Sequence, residues 1–428
     1  MSDPQALVGG EPYRGYAYSY PHKTAYGPLD PPLRLEELWA EEDLSALSLY
    51  IHVPFCAQRC SFCNLFTTTQ GRQREQDYLR TLRRQGAVLK EVLQGATYSV
   101  AAIGGGTPTW LSVESLGAVF DLVHDLGATN IPLSVECSPE TIIPEKADLL
   151  VRRGATRVSI GVQSFVESEA RSVGRTQRNH TVQSALHALR SAGVQTLNLD
   201  LIYGIRGQTP ASWQQSLEQA LEWQPEEIYL YPLYVRPLTG LGRRDRAWDD
   251  QRLALYRQGR DFLKLVGYTQ HSMRMFRAPH APSTFSSHRC QADAMVGLGP
   301  GARSYTASVH LSTPFAVGPS AVVGELDAWL QTEDFRELSW GGQLSEEERR
   351  RRHLIQSLLQ AEGLDRSWYR ARFGADVLEH FPLQSLGEWV KVGDRIQLTE
   401  EGLAWSDAIG PWLYSEEVRQ KIARWELR

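Results

Sequence analysis

Cys56, Cys60 and Cys63 stand in the run His52-Val53-Pro54-Phe55-Cys56-Ala57-Gln58-Arg59-Cys60-Ser61-Phe62-Cys63, directly after an apolar stretch that reads as a strand. The C-x3-C-x2-C spacing gathers three thiolates on one short loop, and soft thiolates at that density suit an iron–sulfur cluster or zinc. Three ligands rather than four leave one metal position open, which is what a reactive site requires. Structural zinc prefers four closed ligands, often as C-x2-C pairs. A closed zinc site with His52 or Cys290 as fourth ligand is the competing reading.

Other residues with chemical potential follow at intervals. Gly104-Gly105-Gly106-Thr107-Pro108 comes after a strand-like run. Three glycines permit positive φ and close backbone approach, so amide N–H groups could face a ligand; the plainer alternative is a glycine-rich turn. Glu136 ends an otherwise apolar strand, either as a ligand or as a buried ion-pair partner. Gln163, Arg175 and Asp200 each fall on or just after a strand end, where rim hydrogen bonding is the plainer role. Cys290 reads as a small buried side chain or as a substrate-facing thiol.

The elements that must position these residues are legible as alternation. Strand patterns cover Ser48–Val53, Ser99–Ile103, Leu133–Glu136, Arg157–Val162, Thr196–Ile202, Ile228–Leu233 and Tyr268–Ser272. Amphipathic helical patterns at Gln76–Leu93, Val113–Leu126, Thr181–Ala192 and Ala211–Trp223 lie between them. Strand and helix in repeated alternation predict an α/β fold with a parallel sheet and right-handed crossovers. Arg157–Val162 reads as apolar on both faces, as a doubly covered strand should. The chemically suggestive residues all sit at strand C-termini, which favours a full or partial (β/α) barrel over an open doubly wound sheet.

Residues 1–44, rich in Tyr, Pro and Gly, read as an irregular N-terminal arm, and 45–330 as the core barrel. From 331 to 428 the pattern becomes a small α+β, winged-helix-like module. Ser345 caps a helix there, with Glu348 completing a capping box. Ser367–Phe373 is a short helix, Trp389–Thr399 alternates around Gly393-Asp394 as a hairpin, and a last helix runs through Gly402–Ile409. Trp389 and Trp405 are expected to pack against the barrel. Arg349–Arg352, after Glu346–Glu348, is expected to be a solvated helix face.

Composition narrows the class. The chain has 428 residues, a formal net charge of -5 and 42% hydrophobic residues, with a mean hydropathy of -0.35. That describes a globular protein with no bulk electrostatic reason to bind nucleic acid or an acidic membrane. There is no membrane-length apolar run, no secretory signal pattern, and no disulfide framework among five cysteines. The expectation is a cytoplasmic, reduced protein with neither nucleic acid nor membrane as partner.

Cys56-x3-Cys60-x2-Cys63 preceded by Tyr50-Ile-His52-Val-Pro54-Phe55 resembles the cluster loop of radical S-adenosylmethionine (SAM) enzymes, in the oxygen-independent coproporphyrinogen III oxidase-like branch. The likeness continues, in order, through Gly104–Pro108, Ser134-Val135-Glu136, Gly161–Phe165 and Asn198–Gly204, spanning roughly residues 45 to 310. The resemblance implies that Cys56, Cys60 and Cys63 bind a [4Fe-4S] cluster whose open iron takes SAM and cleaves it to a 5′-deoxyadenosyl radical. It implies that Gly105 and Gly106 receive the SAM amino group, that Glu136 is a SAM ligand, and that Tyr50 lies near the methionine. By the same likeness Gln163, Arg175 and Asp200, with Phe62, Gly106 and Thr107, contact a second SAM, so one or two SAM molecules are expected. It further implies an electron donor such as flavodoxin or ferredoxin.

Gly297–Tyr305 resembles the family's later glycine-rich loop, with two departures. Arg303 replaces an apolar residue and Tyr234 stands where a small one is found; both would reshape the pocket around adenosine or substrate. Two further departures bear on activity. The oxidase carries an additional cysteine two residues past the third, where this chain has Cys63-Asn64-Leu65. Haem chaperones of the branch carry a His-Asn-x-x-Tyr-Trp motif, which His288–Met295 does not match. A third group, methyltransferases and cyclopropanating enzymes of aromatic natural products, needs neither. The expectation is radical modification, by methyl transfer, of an aromatic, heteroaromatic or porphyrin-like substrate. Porphyrinogen decarboxylation in porphyrin biosynthesis and haem binding are the alternatives.

Overall fold

The computed structural model describes residues 11–236, 238–242, 250–282 and 293–425. His288 and Cys290 lie outside the described residues, so the readings placed on them go no further. Among the described residues, thirteen strands form one sheet. In chain order these are β1 (Gly27–Arg34), β2 (Leu47–Val53), β3 (Tyr98–Gly105), β4 (Leu133–Cys137), β5 (Arg157–Gln163), β6 (Thr196–Tyr203) and β7 (Glu227–Pro232). The remainder are β8 (Thr269–Gln270), β9 (Met275–Arg277), β10 (Met295–Leu298), β11 (Arg303–Tyr305), β12 (Val309–Ser312) and β13 (Glu337–Gln343).

Strand order is β1-β13-β12-β11-β10-β2-β3-β4-β5-β6-β7-β9-β8. β10 and β2 to β7 run parallel, while every other pairing is antiparallel. The sheet therefore has two free ends and is a partial barrel of mixed direction. The segment Tyr268–Ser272, expected to continue the parallel series, is instead a two-residue strand turned back on β9. The Ser272 side chain, which accepts from the Arg274 and Met275 amides, imposes that turn.

One alternation explains how the sheet presents chemistry. Leu47, Leu49, Ile51 and Val53 of β2 point to one side; so do Val158, Ile160 and Val162 of β5, and Leu197, Leu199 and Leu201 of β6, all fully buried. Helices such as Glu75–Val92 cover that side with Tyr78, Leu79, Leu82 and Leu89. Burying each such aliphatic side chain contributes about 1.5–3 kcal/mol. The opposite side carries Tyr50 and His52, Ser134 and Glu136, Ser159 and Gly161, and Asn198 and Asp200, aligned by register at Glu136↔Ser159, Ser159↔Asn198 and Gly161↔Asp200. Arg157–Val162 is thus covered on both sides but apolar on only one; its other side is small and polar.

The arm departs from its expectation in part. Residues 27–34 form β1, which pairs with β13 from the far end of the chain, and Tyr13 and Tyr20 are almost wholly buried. Tyr26 stands at the strand's start, its hydroxyl donating to the Pro21 carbonyl at 3.5 Å and lying 3.1 Å from His310 Nδ1. A three-stranded sheet of β14 (Leu364–Asp365), β15 (Val390–Val392) and β16 (Arg395–Leu398) lies in the C-terminal segment with short helices. Ser345 caps its helix, accepting from the Glu348 amide, but Glu348 does not complete the box. Its carboxylate instead accepts the buried Tyr20 hydroxyl. The expected final helix breaks at Trp405 into Glu400–Ala404 and Ser406–Trp412.

Trp389 and Trp405 stack on each other at 5.2 Å, and Trp405 touches both cores. The solvated face expected of Arg349–Arg352 is not observed. Arg351 donates to the Leu413 carbonyl at 2.7 Å, and Arg352 is buried, lying over the Tyr305 ring. No described helix is long and apolar enough to cross a membrane.

Candidate active site at the strand C-termini

The cysteine loop leaves β2 and is clamped by backbone hydrogen bonds. The Cys56 amide donates to Thr68 O at 3.0 Å, the Thr68 amide to Pro54 O at 2.8 Å, and the Ser61 amide to Val173 O at 2.9 Å. The three thiols remain partly accessible. Burial pushes the Cys56 thiol up to about 12, and raises Cys60 as well. Thr107 Oγ1 donates to Cys56 Sγ at 3.5 Å, and the Arg175 guanidinium favours the Cys60 and Cys56 thiolates electrostatically.

Among the described residues no three His, Cys, Asp or Glu side chains converge as they would round a single metal ion. His52 is also committed elsewhere. Its Nε2 sits 2.9 Å from the Phe66 carbonyl, so that nitrogen carries the proton, and Nδ1 is left to accept the Tyr50 hydroxyl at 3.2 Å. These positions argue against His52 as the fourth ligand of a closed zinc knuckle. Three soft thiolates on one loop are the donor set of an iron–sulfur cluster, in which each thiolate meets a different iron.

The amides of the glycine run are engaged within the protein. The Gly105 amide donates to Glu136 Oε2 at 2.9 Å, the Gly106 amide to Val53 O at 2.7 Å and the Thr107 amide to Phe55 O at 2.7 Å. Those N–H groups are spent inside the protein, so they do not face a ligand. The run instead ties β3 to the cysteine loop. A Cβ on Gly105 (φ +110) would lie 2.5 Å from the His52 ring, and one on Gly106 2.6 Å from the Phe55 carbonyl oxygen.

Glu136 stays water-accessible although protein encloses it, as does Tyr16 of the arm at 43% exposure. Accessible yet surrounded by protein, these two side chains mark an internal space, here called the chamber. Enclosure raises the Glu136 carboxyl to about 7, with the nearby Asp200 charge adding to it. Asp200 is raised to about 6 by burial, against hydrogen bonds from Asn198 Nδ2 at 2.7 Å and Ser159 Oγ at 3.3 Å. Arg157 spans the same wall, reaching Glu227 at 2.7 Å and Ser134 Oγ at 2.9 Å.

Gln163 adopts φ +70 at a register shift between β5 and β6; such strain costs about 1–3 kcal/mol and clusters at functional sites. Gly161 makes room for it: a Cβ there would lie 2.7 Å from Gln163 Nε2 and 2.9 Å from Arg175 Nη2. Arg175 donates to Gly161 O at 2.9 Å and Ser138 Oγ at 3.1 Å, and its buried Nε has no partner. Phe62 packs with Val173, Ile202, Ile205 and Leu233. Tyr50, Cys56, Thr107, Glu136, Gln163, Arg175 and Asp200 thus gather at one rim. Arg303 stands apart from Glu136 on β11, bonded to Tyr305. Tyr234 donates to Asp407 of the C-terminal segment, so it ties that segment down.

Sequence reasoning passed over His52 as a positioning group, although it stands inside the cysteine motif. It also missed Arg274 and Asp407, a buried pair at 2.5 Å, 3% and 0% accessible. Tyr16 and Tyr18 each place a ring centroid 4.8 Å from the Arg274 guanidinium. No local pattern marks Asp407.

Residues 50–220 match the family model of the Radical SAM superfamily, and the chain is similar to proteins of the HemN and HemW type. Over 242 residues it is 31% identical to the Heme chaperone HemW of Haemophilus influenzae, covering 53% of this chain and 62% of that protein, short of two thirds of its length. Over 424 residues it is 27% identical to the oxygen-independent coproporphyrinogen III oxidase of Salmonella typhimurium, covering 91% and 89%. The solved structure of coproporphyrinogen III oxidase (HemN) from Escherichia coli shares the fold, with a TM-score of 0.78 at 23% identity over 96% of this chain and 99% of that one. The superfamily implies a [4Fe-4S] cluster and SAM.

Proposed function

We propose that the protein is a radical SAM enzyme that modifies an aromatic, heteroaromatic or porphyrin-like substrate, by methyl transfer to it. The observation that carries this reading is the gathering of three accessible cysteines, Glu136 and the strained Gln163 with Arg175 at one rim of an enclosed chamber. A [4Fe-4S] cluster with SAM, when bound there through Cys56, Cys60 and Cys63, supplies reductive cleavage of the sulfonium to a 5′-deoxyadenosyl radical.

The chain's own residues do the rest. Glu136, held by the Gly105 amide, offers its free oxygen to an ammonium group. Tyr50, with its proton given to His52, presents an oxygen that can only accept, so it suits the same donor. Arg175 offsets negative charge beside Cys60. Gln163, Arg175 and Asp200, with Phe62 as an apolar wall, are suited to a second SAM. The arm and the C-terminal segment close the chamber and keep bulk water from a reactive intermediate. Residues 1–44 then serve as arm, 45–330 as radical core and 331–428 as cover, with β1 from the first and β13 from the last lending one edge to the core's sheet.

Anaerobic turnover of the reconstituted protein should give 5′-deoxyadenosine and S-adenosylhomocysteine together; deoxyadenosine alone would reject methyl transfer. A porphyrin-related role is the second reading, favoured by relatives named for heme delivery and for coproporphyrinogen III oxidation. Vinyl product from coproporphyrinogen III, or a Soret band on haem addition, would carry that reading instead.

A further inference from the structure

A second group of polar side chains takes no part in the roles above. It is built from two separated segments, Lys23 in the arm and Arg303 opening β11, with Arg236 after β7 acting on His22 electrostatically. Lys23 Nζ lies 3.3 Å from the Gly301 carbonyl, two residues before Arg303, and 5.2 Å from the Phe315 ring. Arg303 Nη1 donates to the Tyr305 hydroxyl at 3.1 Å. Arg236 lies 4.5 Å over the Tyr234 ring. His22 meets the edge of Phe315 at 5.6 Å.

Among the described residues neither Lys23 nor Arg303 is within ion-pair distance of a carboxylate, in contrast to three other arginines. Arg157 meets Glu227 at 2.7 Å, Arg190 meets Glu226 at 3.0 Å, and Arg274 meets Asp407 at 2.5 Å. An enclosed charge left without a counter-ion costs several kcal/mol, so proteins keep such charges paired or poised for a ligand. The cations also oppose one another. Burial, then Arg303, brings the Lys23 ammonium down to about 7. Burial, with Arg303, Lys23 and Arg236, brings His22 down to about 3. Arg303 adds a planar fork suited to two-point contact with a carboxylate or phosphate.

We propose that Lys23 and Arg303 form an anion subsite that holds a carboxylate or phosphate group of the substrate, on the side of the chamber made by the arm and the glycine loop. This rests on the reading that the chamber admits an organic substrate. It assigns Arg303 to the substrate rather than to adenosine, and it gives the arm a part in selecting that substrate.

Acylation of Lys23 by an N-hydroxysuccinimide acetate at neutral pH, read by peptide mass spectrometry on the cluster-loaded protein, tests the subsite. Citrate and pyrophosphate are the probes, with chloride at matched ionic strength as reference and exposed Lys264 as internal standard. Losing two charge-assisted hydrogen bonds corresponds to about tenfold or more in affinity. Citrate or pyrophosphate should therefore slow Lys23 acylation strongly where chloride does not, and Arg303→Met should abolish the protection while Arg303→Lys keeps part of it. Stronger protection by citrate assigns a carboxylate, and stronger protection by pyrophosphate a phosphate. Lys23 that is unreactive, equally reactive with chloride and probes, or protected to the same degree in Arg303→Met overturns the subsite. Wild-type protein that fails to cleave SAM would remove the radical reading and leave the labelling result standing; unprotected labelling in protein that does cleave SAM removes the subsite alone.

Discussion

The cysteine loop and the Arg274–Asp407 contact lie at the same chamber and are built in opposite ways. Around the loop the chain uses backbone: amides of Cys56, Ser61, Thr68, Gly106 and Thr107 all donate to carbonyls, and the thiols are left accessible. At the closing contact it uses side chains: an ion pair at 2.5 Å, flanked by two tyrosine rings and inaccessible to water. The difference teaches where each kind of bond serves. Backbone bonds fix a loop while freeing its side chains for a ligand; buried side-chain pairs hold separate segments together.

The largest effect should come from the loop. Cys56→Ser, Cys60→Ser or Cys63→Ser should each reduce reconstituted iron and its visible absorbance to roughly a tenth or less, since every ligand of a three-thiolate site is needed. Retained iron in all three would break the contrast at its first term. Next is the closing contact. Asp407→Ala strands Arg274 without its counter-ion and should cost about 3–5 kcal/mol in denaturant unfolding, with the double change Arg274→Met, Asp407→Leu recovering much of it.

Glu136 gives a smaller and more specific effect. Its carboxyl stands at about 7 against an ordinary 4.5. A bound ammonium favours the ionised form, so SAM binding to the cluster-loaded protein should release protons between pH 6 and 7, fading above about 8. Calorimetry in buffers of different ionisation enthalpy measures this, and Glu136→Gln should remove it. In the ligand-free protein the same raised value has the opposite sense. The unfolded chain ionises first, so this group's contribution to stability is lost as pH rises from 4.5 toward 7. Smallest of all is Glu401→Gln. Its pair with Arg257 bridges the same two regions as Asp407 but is 44% and 38% accessible, and its loss should cost about 0–1 kcal/mol. A large effect there would erase the distinction between buried and exposed bridges.

The parallel series was legible because β2 to β7 carry strong aliphatic alternation with helices between them. The rim was legible because the motif residues fall at strand ends. What escaped has physical reasons. The direction of Thr269–Gln270 depends on a turn set by Ser272, whose side-chain bonds leave no periodic signature. The purpose of the Gly105 and Gly106 amides could not be read, because glycine permits both a ligand cradle and a tight backbone clamp. Arg352 looked solvated among its neighbours, yet it is buried against Tyr305 from a distant strand. Asp407 pairs across 133 positions with Arg274, a separation no local pattern records.

The pairing of β1 with β13 joins Arg34 to Glu337. During synthesis the first strand of the sheet must therefore wait, unpaired, until roughly three hundred later residues have left the ribosome. Its Asp30-Pro31-Pro32 centre, lacking two amide donors, makes it a poor template for other chains during that interval.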